Sequence, residues 1–175
     1  MTASSAKRVA VLIPAYNESA TIADIATRAR RHSAWVVVID DGSTDGTGDR
    51  LRSLAVEVLR NDTNQGKAAA IWRGAQHVIE RGAEALITLD GDGQHRPEDI
   101  PRLLDVARRF PGDLVMGARA LHPDAAPKLR RFANRFADFW ISVAAGYTVR
   151  DSQSGFRYYP ADVFQRVHVA HDRPH

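Results

Sequence analysis

Asp90 and Asp92 stand one residue apart in the run Asp90-Gly91-Asp92-Gly93-Gln94-His95, directly behind the apolar residues 85–89. A glycine between two carboxylates lets both turn toward one point, and Gln94 adds a third hard oxygen. Such a set suits Mg²⁺ or Mn²⁺, with positions left open for substrate phosphates. The metal's work there would be to neutralise charge on a departing diphosphate. An isolated Asp-x-Asp is more often a turn that caps a following helix, here the one opened by Pro97. This pair is not isolated. Residues 9–13 break into Pro14-Ala15-Tyr16-Asn17-Glu18, and residues 35–39 into Asp40-Asp41-Gly42-Ser43-Thr44-Asp45-Gly46. Acidic clusters on adjacent strand ends repel unless something cationic or hydrogen-bonding lies between them.

The elements that would position these groups alternate regularly. Apolar runs at residues 9–13, 35–39, 56–59, 85–89 and 114–116 are spaced by about one βα unit. They read as continuous rather than alternating, the mark of strands buried on both faces of a parallel sheet. Helical patterns fill the gaps. Ser19 is placed to cap a helix bearing Ile22, Ile25, Ala26 and Ala29. Lys67 to Arg81 carries Ile71, Ala75, Val78 and Ile79. Pro97 opens a helix with Ile100, Leu103, Leu104 and Ala107, and Pro127 opens one with Leu129, Phe132, Phe136, Phe139, Trp140 and Val143. The expected class is α/β, a mostly parallel sheet with helices on both faces. Ligands of such sheets bind at the carboxyl ends of the strands, where the polar runs lie.

Composition narrows the chemistry. The chain has 175 residues, is 44% hydrophobic and 26% charged, and carries a net charge of +3. A chain of this size buries about 70% of its surface on folding, enough for one core. It has no cysteine, which excludes a disulfide scaffold, a cysteine nucleophile and a cysteine-ligated iron–sulfur cluster. No apolar run is long enough for a membrane span or a signal-peptide core. Basic residues concentrate late: Arg119, Lys128, Arg130, Arg131, Arg135, Arg150 and Arg157 face only Asp124, Asp138 and Asp151 in that segment. A basic zone of this kind suits an anionic partner, or is a solvated helix face.

Competing motifs fail on spacing. A calcium loop starting at Asp90 would need Glu where Pro101 stands. A P-loop ending at Gly66-Lys67 would need Gly at Asn61 and Ser or Thr at Ala68, and Gly42, Gly46 and Gly48 lack dinucleotide-binding spacing. No two histidines have zincin spacing. A phosphatase of the haloacid dehalogenase type also uses Asp-x-Asp-Gly after a strand, but it expects Thr or Val at Gln94 and places the motif on its first strand.

Taken together, Ile13-Pro14-Ala15-Tyr16-Asn17-Glu18, Asp40-Asp41-Gly42-Ser43-Thr44-Asp45-Gly46-Thr47, Asn64-Gln65-Gly66-Lys67 and Asp90-Gly91-Asp92-Gly93-Gln94-His95 resemble an inverting family 2 glycosyltransferase of GT-A, Rossmann-like fold. Asp151-Ser152-Gln153-Ser154-Gly155-Phe156-Arg157 is similar to the branch that acts on dolichyl or polyprenyl phosphate with mannose or glucose. The resemblance implies that Pro14, Tyr16 and Glu18 line a nucleotide pocket, with Asp41 near the base or ribose and Asp40 beside it. It implies that Lys67 approaches the donor and that Asp90, Asp92 and Gln94 hold Mg²⁺ or Mn²⁺. Arg119 would meet donor or acceptor phosphate, while Ser154, Gly155 and Arg157 would face the acceptor. The basic segment, with Arg130 and Arg131, would hold an anionic phosphate. The implied catalytic residues are Asp92, Arg119 and Arg131. The implied donor is a UDP- or GDP-hexose, the acceptor a lipid phosphate, and no nucleic acid is expected.

The expected organisation is a tail over residues 1–8, one GT-A domain over 9–167 and a tail over 168–175. The family continues past the Ser-Gly-Phe-Arg run with a further acidic motif that is not found here, so the chain reads as short on the acceptor side. The expected location is the cytoplasm, with peripheral contact at the cytoplasmic face of a membrane through Arg130, Arg131 and Arg135 beside Phe132, Phe136 and Trp140. Two other readings stay open: a truncated remnant that binds donor without transferring it, and the dehalogenase-type phosphatase.

Overall fold

Inside an uninterrupted apolar strand, period-two alternation sends successive side chains to opposite faces. Strand β1 (Val9–Ala15) obeys this: Val11 and Ile13 join one buried cluster, while Ala10 and Leu12 join another. The computed structural model describes residues 8–117 and 154–166. In it, β1 is followed by α1 (Ile22–Arg30), β2 (Val36–Asp40), α2 (Thr47–Leu51), β3 (Glu57–Arg60), α3 (Lys67–Glu80) and β4 (Ala85–Thr88). A 3₁₀ turn at Pro97–Asp99 leads into α4 (Ile100–Arg109), and then come β5 (Val115–Met116), β6 (Arg157–Pro160) and α5 (Ala161–Arg166). The expected helix after Pro127 lies outside the described residues.

The six described strands form one sheet in the order β3-β2-β1-β4-β6-β5. The pairs β1–β2, β1–β4 and β2–β3 are parallel, whereas β6 runs antiparallel to both β4 and β5. Helices cover both faces. Ile22, Ile25, Ala26 and Ala29 of α1, Leu51 of α2 and Ile100, Leu103 and Ala107 of α4 pack on the Val11–Ile13 side. Ala70, Ala75 and Val78 of α3 pack on the Ala10–Leu12 side, joined by Phe164 of α5. The chain steps outward from β1 to β3, then crosses back through α3 to lay β4 on the other side of β1. The reversal between β1 and β4 is the switch point at which α/β sheets open a crevice.

Three expectations change. The runs at residues 56–59 and 114–116 are not buried on both faces: β3 and β5 are the outer strands of the described sheet, β3 alternating between half-buried and exposed and β5 half-buried and antiparallel to β6. Strand β6 was not foreseen, since Arg157-Tyr158-Tyr159-Pro160 alternates only weakly and pairs with β4 across a large gap in sequence. Ser19 does not cap α1. That helix starts at Ile22 on carbonyl bonds to Glu18, and the Ser19 amide instead donates to Asp45 Oδ2 at 2.9 Å. Among the described residues no helix is long and apolar enough to cross a membrane.

Helix α3 approaches the sheet closely at Gly74, where a Cβ would lie 2.7 Å from Ile39 Cδ1 and 3.4 Å from Leu12 Cδ1. Both neighbours are fully buried, so they have little room to yield. Gly74→Val should therefore cost about 1–3 kcal/mol by overpacking. Urea unfolding checks this, and an unchanged midpoint would show that α3 can lift from the sheet without cost.

Candidate functional site

The crevice at the switch point has a volume of about 330 Å³. Pro14, Ala15, Tyr16 and Glu18 line it from the end of β1, Asp41 from the end of β2, and Asn64, Gly66 and Lys67 from the start of α3. Asp90, Gly91 and Asp92 close it from the end of β4. Seven of the expected site residues thus converge: Pro14, Tyr16, Glu18, Asp41, Lys67, Asp90 and Asp92. Tyr16 stands 46% exposed at the rim.

The loops behind β1 and β2 are zipped together. The Asn17 amide donates to Ser43 Oγ at 3.0 Å, and the Thr44 amide donates back to Asn17 Oδ1 at 2.9 Å. The Glu18 amide donates to Thr47 Oγ1 at 2.9 Å. Asn17 adopts a left-handed backbone with φ of 55°, a conformation that asparagine tolerates better than most residues. Asp45 receives the Thr47 hydroxyl at 2.5 Å and the amides of Thr47 and Ser19. The Thr47 hydroxyl, followed by those further bonds, holds the Asp45 carboxyl well below its ordinary range. At Gly42 two demands meet: φ is +75°, and a Cβ would lie 2.7–2.9 Å from backbone atoms of Thr63 and Asn64. Only glycine lets the loop from β3 pass there.

The two adjacent aspartates point apart. Asp41 is buried and accepts three donors: Asn61 Nδ2 at 2.6 Å, the Gln65 amide at 3.0 Å and the Gly66 amide at 2.8 Å. It organises the turn that delivers Lys67. Asp40 does not line the crevice. It is fully buried on the α2 side, where it pairs with Arg60 Nη1 and accepts the Ser43 amide at 3.0 Å. Arg60 also donates to the Ser43 carbonyl at 2.8 Å.

Around Asp90 the charges are close. Lys67 Nζ lies 2.6 Å from Asp90 Oδ1, yet that buried oxygen has no hydrogen bond of good geometry. Asp92 is exposed, and its Oδ1 accepts the Gln94 amide at 2.9 Å. Burial pushes the Glu18 carboxyl above its usual value; Asp92, Asp45 and Asp90 add to this, against a hydrogen bond from Thr21. Among the described residues no three His, Asp or Glu side chains form a ready ligand cage. A buried oxygen on Asp90 met by Lys67 without a well-formed hydrogen bond, an exposed carboxylate at Asp92 and a Glu18 carboxyl pushed up by burial and then by neighbouring carboxylates nevertheless fit a hard cation held by few protein ligands. Thr21 Oγ1 donates to the Gly91 carbonyl at 2.6 Å and fixes this loop to the start of α1.

The acceptor-side residues occupy the return into β6. The Ser154 hydroxyl is buried and donates to the Gly117 carbonyl at 2.5 Å, and the Gly117 amide donates to the Phe156 carbonyl at 2.8 Å. Gly155 packs on the Asp90 carboxylate. Arg157 Nε donates to the Ser154 carbonyl at 2.8 Å. Arg119, Arg130 and Arg131 lie outside the described residues. Sequence reasoning passed over His95, which is buried with its ring 5.7 Å from that of Phe156, and Thr21, Thr47 and Thr88, whose hydroxyls tie the loops. Hydroxyls of this kind leave no periodic signal.

Residues 10–167 match the glycosyl transferase family 2 model. The chain belongs to this family. It is 33% identical over 170 residues to an undecaprenyl-phosphate mannosyltransferase of Micrococcus luteus, covering 91% of this chain and 69% of that protein. It is 30% identical over 175 residues to a polyprenol monophosphomannose synthase of Mycolicibacterium smegmatis, covering 94% and 66%. Its fold matches glucosyl-3-phosphoglycerate synthase of Mycobacterium tuberculosis in complex with Mn²⁺, UDP and phosphoglyceric acid, with a TM-score of 0.71 and 19% identity over 90% of this chain and 57% of that one. The fold is thus GT-A, and the chain spans little more than half of that structure's length.

The Asp41 network carries a measurable consequence. Asp41→Asn presents one acceptor oxygen and an amide to three donors. It should lose about 1.5–3 kcal/mol of stability, the scale of a hydrogen bond to a charged group. Denaturant midpoints read this directly, and a wild-type midpoint would mean that the Asn61–Gly66 turn holds without the carboxylate.

Proposed function

We propose that the chain is a metal-dependent inverting glycosyltransferase that moves a hexose from a UDP- or GDP-sugar to a polyprenyl-type lipid phosphate. The observation that carries this reading is the crevice itself, where Asp90, Asp92 and Glu18 meet Lys67 at the switch point of a family 2 fold. The curated relatives named above are undecaprenyl- and polyprenol-phosphate enzymes, which supports the acceptor class.

In this reading Pro14, Tyr16, Glu18 and Asp41 take the nucleoside, and Asp90 and Asp92, with Gln94, hold Mg²⁺ or Mn²⁺. When bound, the metal neutralises charge on the diphosphate. Lys67 starts α3, so it adds a positive side chain to the positive end of a helix facing the donor phosphates. Asp40 acts behind the pocket, keeping the Ser43 loop in place through Arg60.

Arg119, Arg130 and Arg131, with Arg157 and the Ser154–Gly155 turn, receive the acceptor. A phosphate monoester is largely ionised at neutral pH, its second pKa being about 6, so it needs cations rather than a general base. One phosphate oxygen attacks the anomeric carbon in line. The new carbon–oxygen bond forms as the bond to the diphosphate breaks, and the electron pair leaves with the nucleoside diphosphate. The Phe132, Phe136 and Trp140 stretch beside these arginines suits peripheral contact with a membrane at its cytoplasmic face.

A thermal-shift panel tests the donor half: UDP-glucose, GDP-mannose, UDP and GDP, each with Mn²⁺, Mg²⁺ or chelator. A ligand at a hundred times its Kd adds about 2.7 kcal/mol of stability. The expected result is a metal-dependent shift with one nucleotide series that disappears in Asp92→Ala. No shift with any nucleotide would overturn the donor assignment. For the acceptor half, Arg119→Ala and Arg131→Ala should each slow transfer to a lipid phosphate by about tenfold or more, the scale of one charged hydrogen bond. Unchanged transfer in both would remove the arginines from the reaction.

A further inference from the structure

Gly155 is seated on the carboxylate of Asp90. A Cβ at this position would lie closer than 3.0 Å to Oδ1, Oδ2 and Cγ alike, so no other residue fits without displacing the carboxylate. The contact is held from behind: Thr88 Oγ1 donates to the Gly155 carbonyl at 2.7 Å. Thr88 is 1% exposed and ends a strand whose other residues, Ala85, Leu86 and Ile87, are all apolar. Valine would satisfy the packing and the strand preference equally well; the hydroxyl must therefore be explained by its bond.

Ile87 and Leu89 join the cluster under α1 and Leu86 the one under α3, so the alternation places Thr88 on the α3 side, where Lys67 also meets Asp90. The bond from Thr88 to Gly155 thus sets the height of the glycine above the carboxylate. On the crevice side, Lys67 Nζ approaches Asp90 Oδ1 at 2.6 Å. Between glycine backbone and lysine, the carboxylate has few rotamers left. Groups that orient a metal ligand in this way raise affinity without touching the ion.

We propose that Thr88 is a positioning residue: its hydroxyl holds Gly155 against Asp90 and so presets that carboxylate for a divalent cation. This rests on the reading of Asp90 and Asp92 as metal ligands. It also gives Gly155 a role beyond the acceptor side.

The test uses Thr88→Val, which removes the hydroxyl at nearly constant shape, and Thr88→Ser, which retains it. Free Mn²⁺ is followed by its paramagnetic resonance during titration in the presence of UDP and, separately, GDP. Melting of the metal-free proteins in chelator is measured in parallel. Thr88→Val should bind Mn²⁺ about 10- to 100-fold more weakly, the range for groups that orient a metal ligand, while melting within a few degrees of wild type in chelator. Thr88→Ser should recover most of the affinity. Wild-type affinity in Thr88→Val overturns the proposal, as does a Thr88→Val protein that melts far below wild type even in chelator, which assigns the hydroxyl to folding. Failure of the wild-type chain itself to bind Mn²⁺ removes the metal reading, and the proposal with it.

Discussion

Carboxylates gathered at the ends of adjacent strands repel one another, and the rest of the site follows from how each is answered. Asp40 is met by Arg60, Asp41 by Asn61 and two backbone amides, and Asp45 by Thr47 and Ser19. Each pairing does structural work at the same time: it fixes the loop behind β2, the turn into α3, or the zipper between the first two loops. What these answers leave is concentrated at one place. Glu18 is pushed up first by burial and then by Asp92, and Asp90 keeps a buried oxygen without a hydrogen bond although Lys67 stands beside it. The crevice thus sets one cation, Lys67, against Glu18, Asp90 and Asp92, and an excess of carboxylates in a cleft is the setting in which a cationic ligand binds. The contrast is between carboxylates fully taken up by structural partners and a group at the crevice that shares a single lysine.

The parity of the strand explains why two neighbouring aspartates diverge. Val38 belongs to the cluster under α1 and α2, and Ile39 to the cluster under α3. Continuing that alternation sends Asp40 toward α2 and Asp41 toward α3. The first becomes a buried ion pair that holds a loop; the second enters the crevice. The same alternation places Thr88 on the α3 side, where Lys67 also meets Asp90. Identical side chains thus take different roles because a pleated strand has two sides.

Much of this was legible in the sequence. The parallel strands and the helices α1, α3 and α4 follow from apolar runs and helical periodicity. Polar clusters at the strand ends mark where a site would lie, and the family resemblance names Pro14, Tyr16, Glu18, Asp41, Lys67, Asp90 and Asp92, which converge there. Less visible were features set by long-range partners. Strand β6 pairs along the edge of β4, and its burial alternates although the residue types Arg-Tyr-Tyr-Pro do not signal it. Ser19 has the composition of a helix cap, but its amide is claimed by Asp45 from another loop. Asp40 was grouped with the donor residues because it adjoins Asp41; only the packing of Arg60 from β3 shows which side it serves. Burial of Ser154 likewise directs its hydroxyl to Gly117 rather than outward.

On the proposed roles, that last bond would link the donor and acceptor sides. Gly117 follows β5 and Ser154 precedes β6, and the bond between them ties the ends of the two strands together. One residue later, Gly155 meets Asp90. Gly117 and Ser154, which flank the stretch carrying Arg119, Arg130 and Arg131 in sequence, are therefore tied together next to the Asp90 carboxylate. On the proposed acceptor role, a ligand that drew on Ser154 or Arg157 would load the Ser154–Phe156 turn, and through Gly155 it would bear on Asp90. Conversely, on the proposed metal role, a cation drawing on Asp90 would stiffen the Ser154–Phe156 turn. Any free energy passed one way must be returned the other, since coupling between two binding events is reciprocal. A glycine packed on a carboxylate is a short route for such coupling, because it leaves no side chain between the two to absorb the movement.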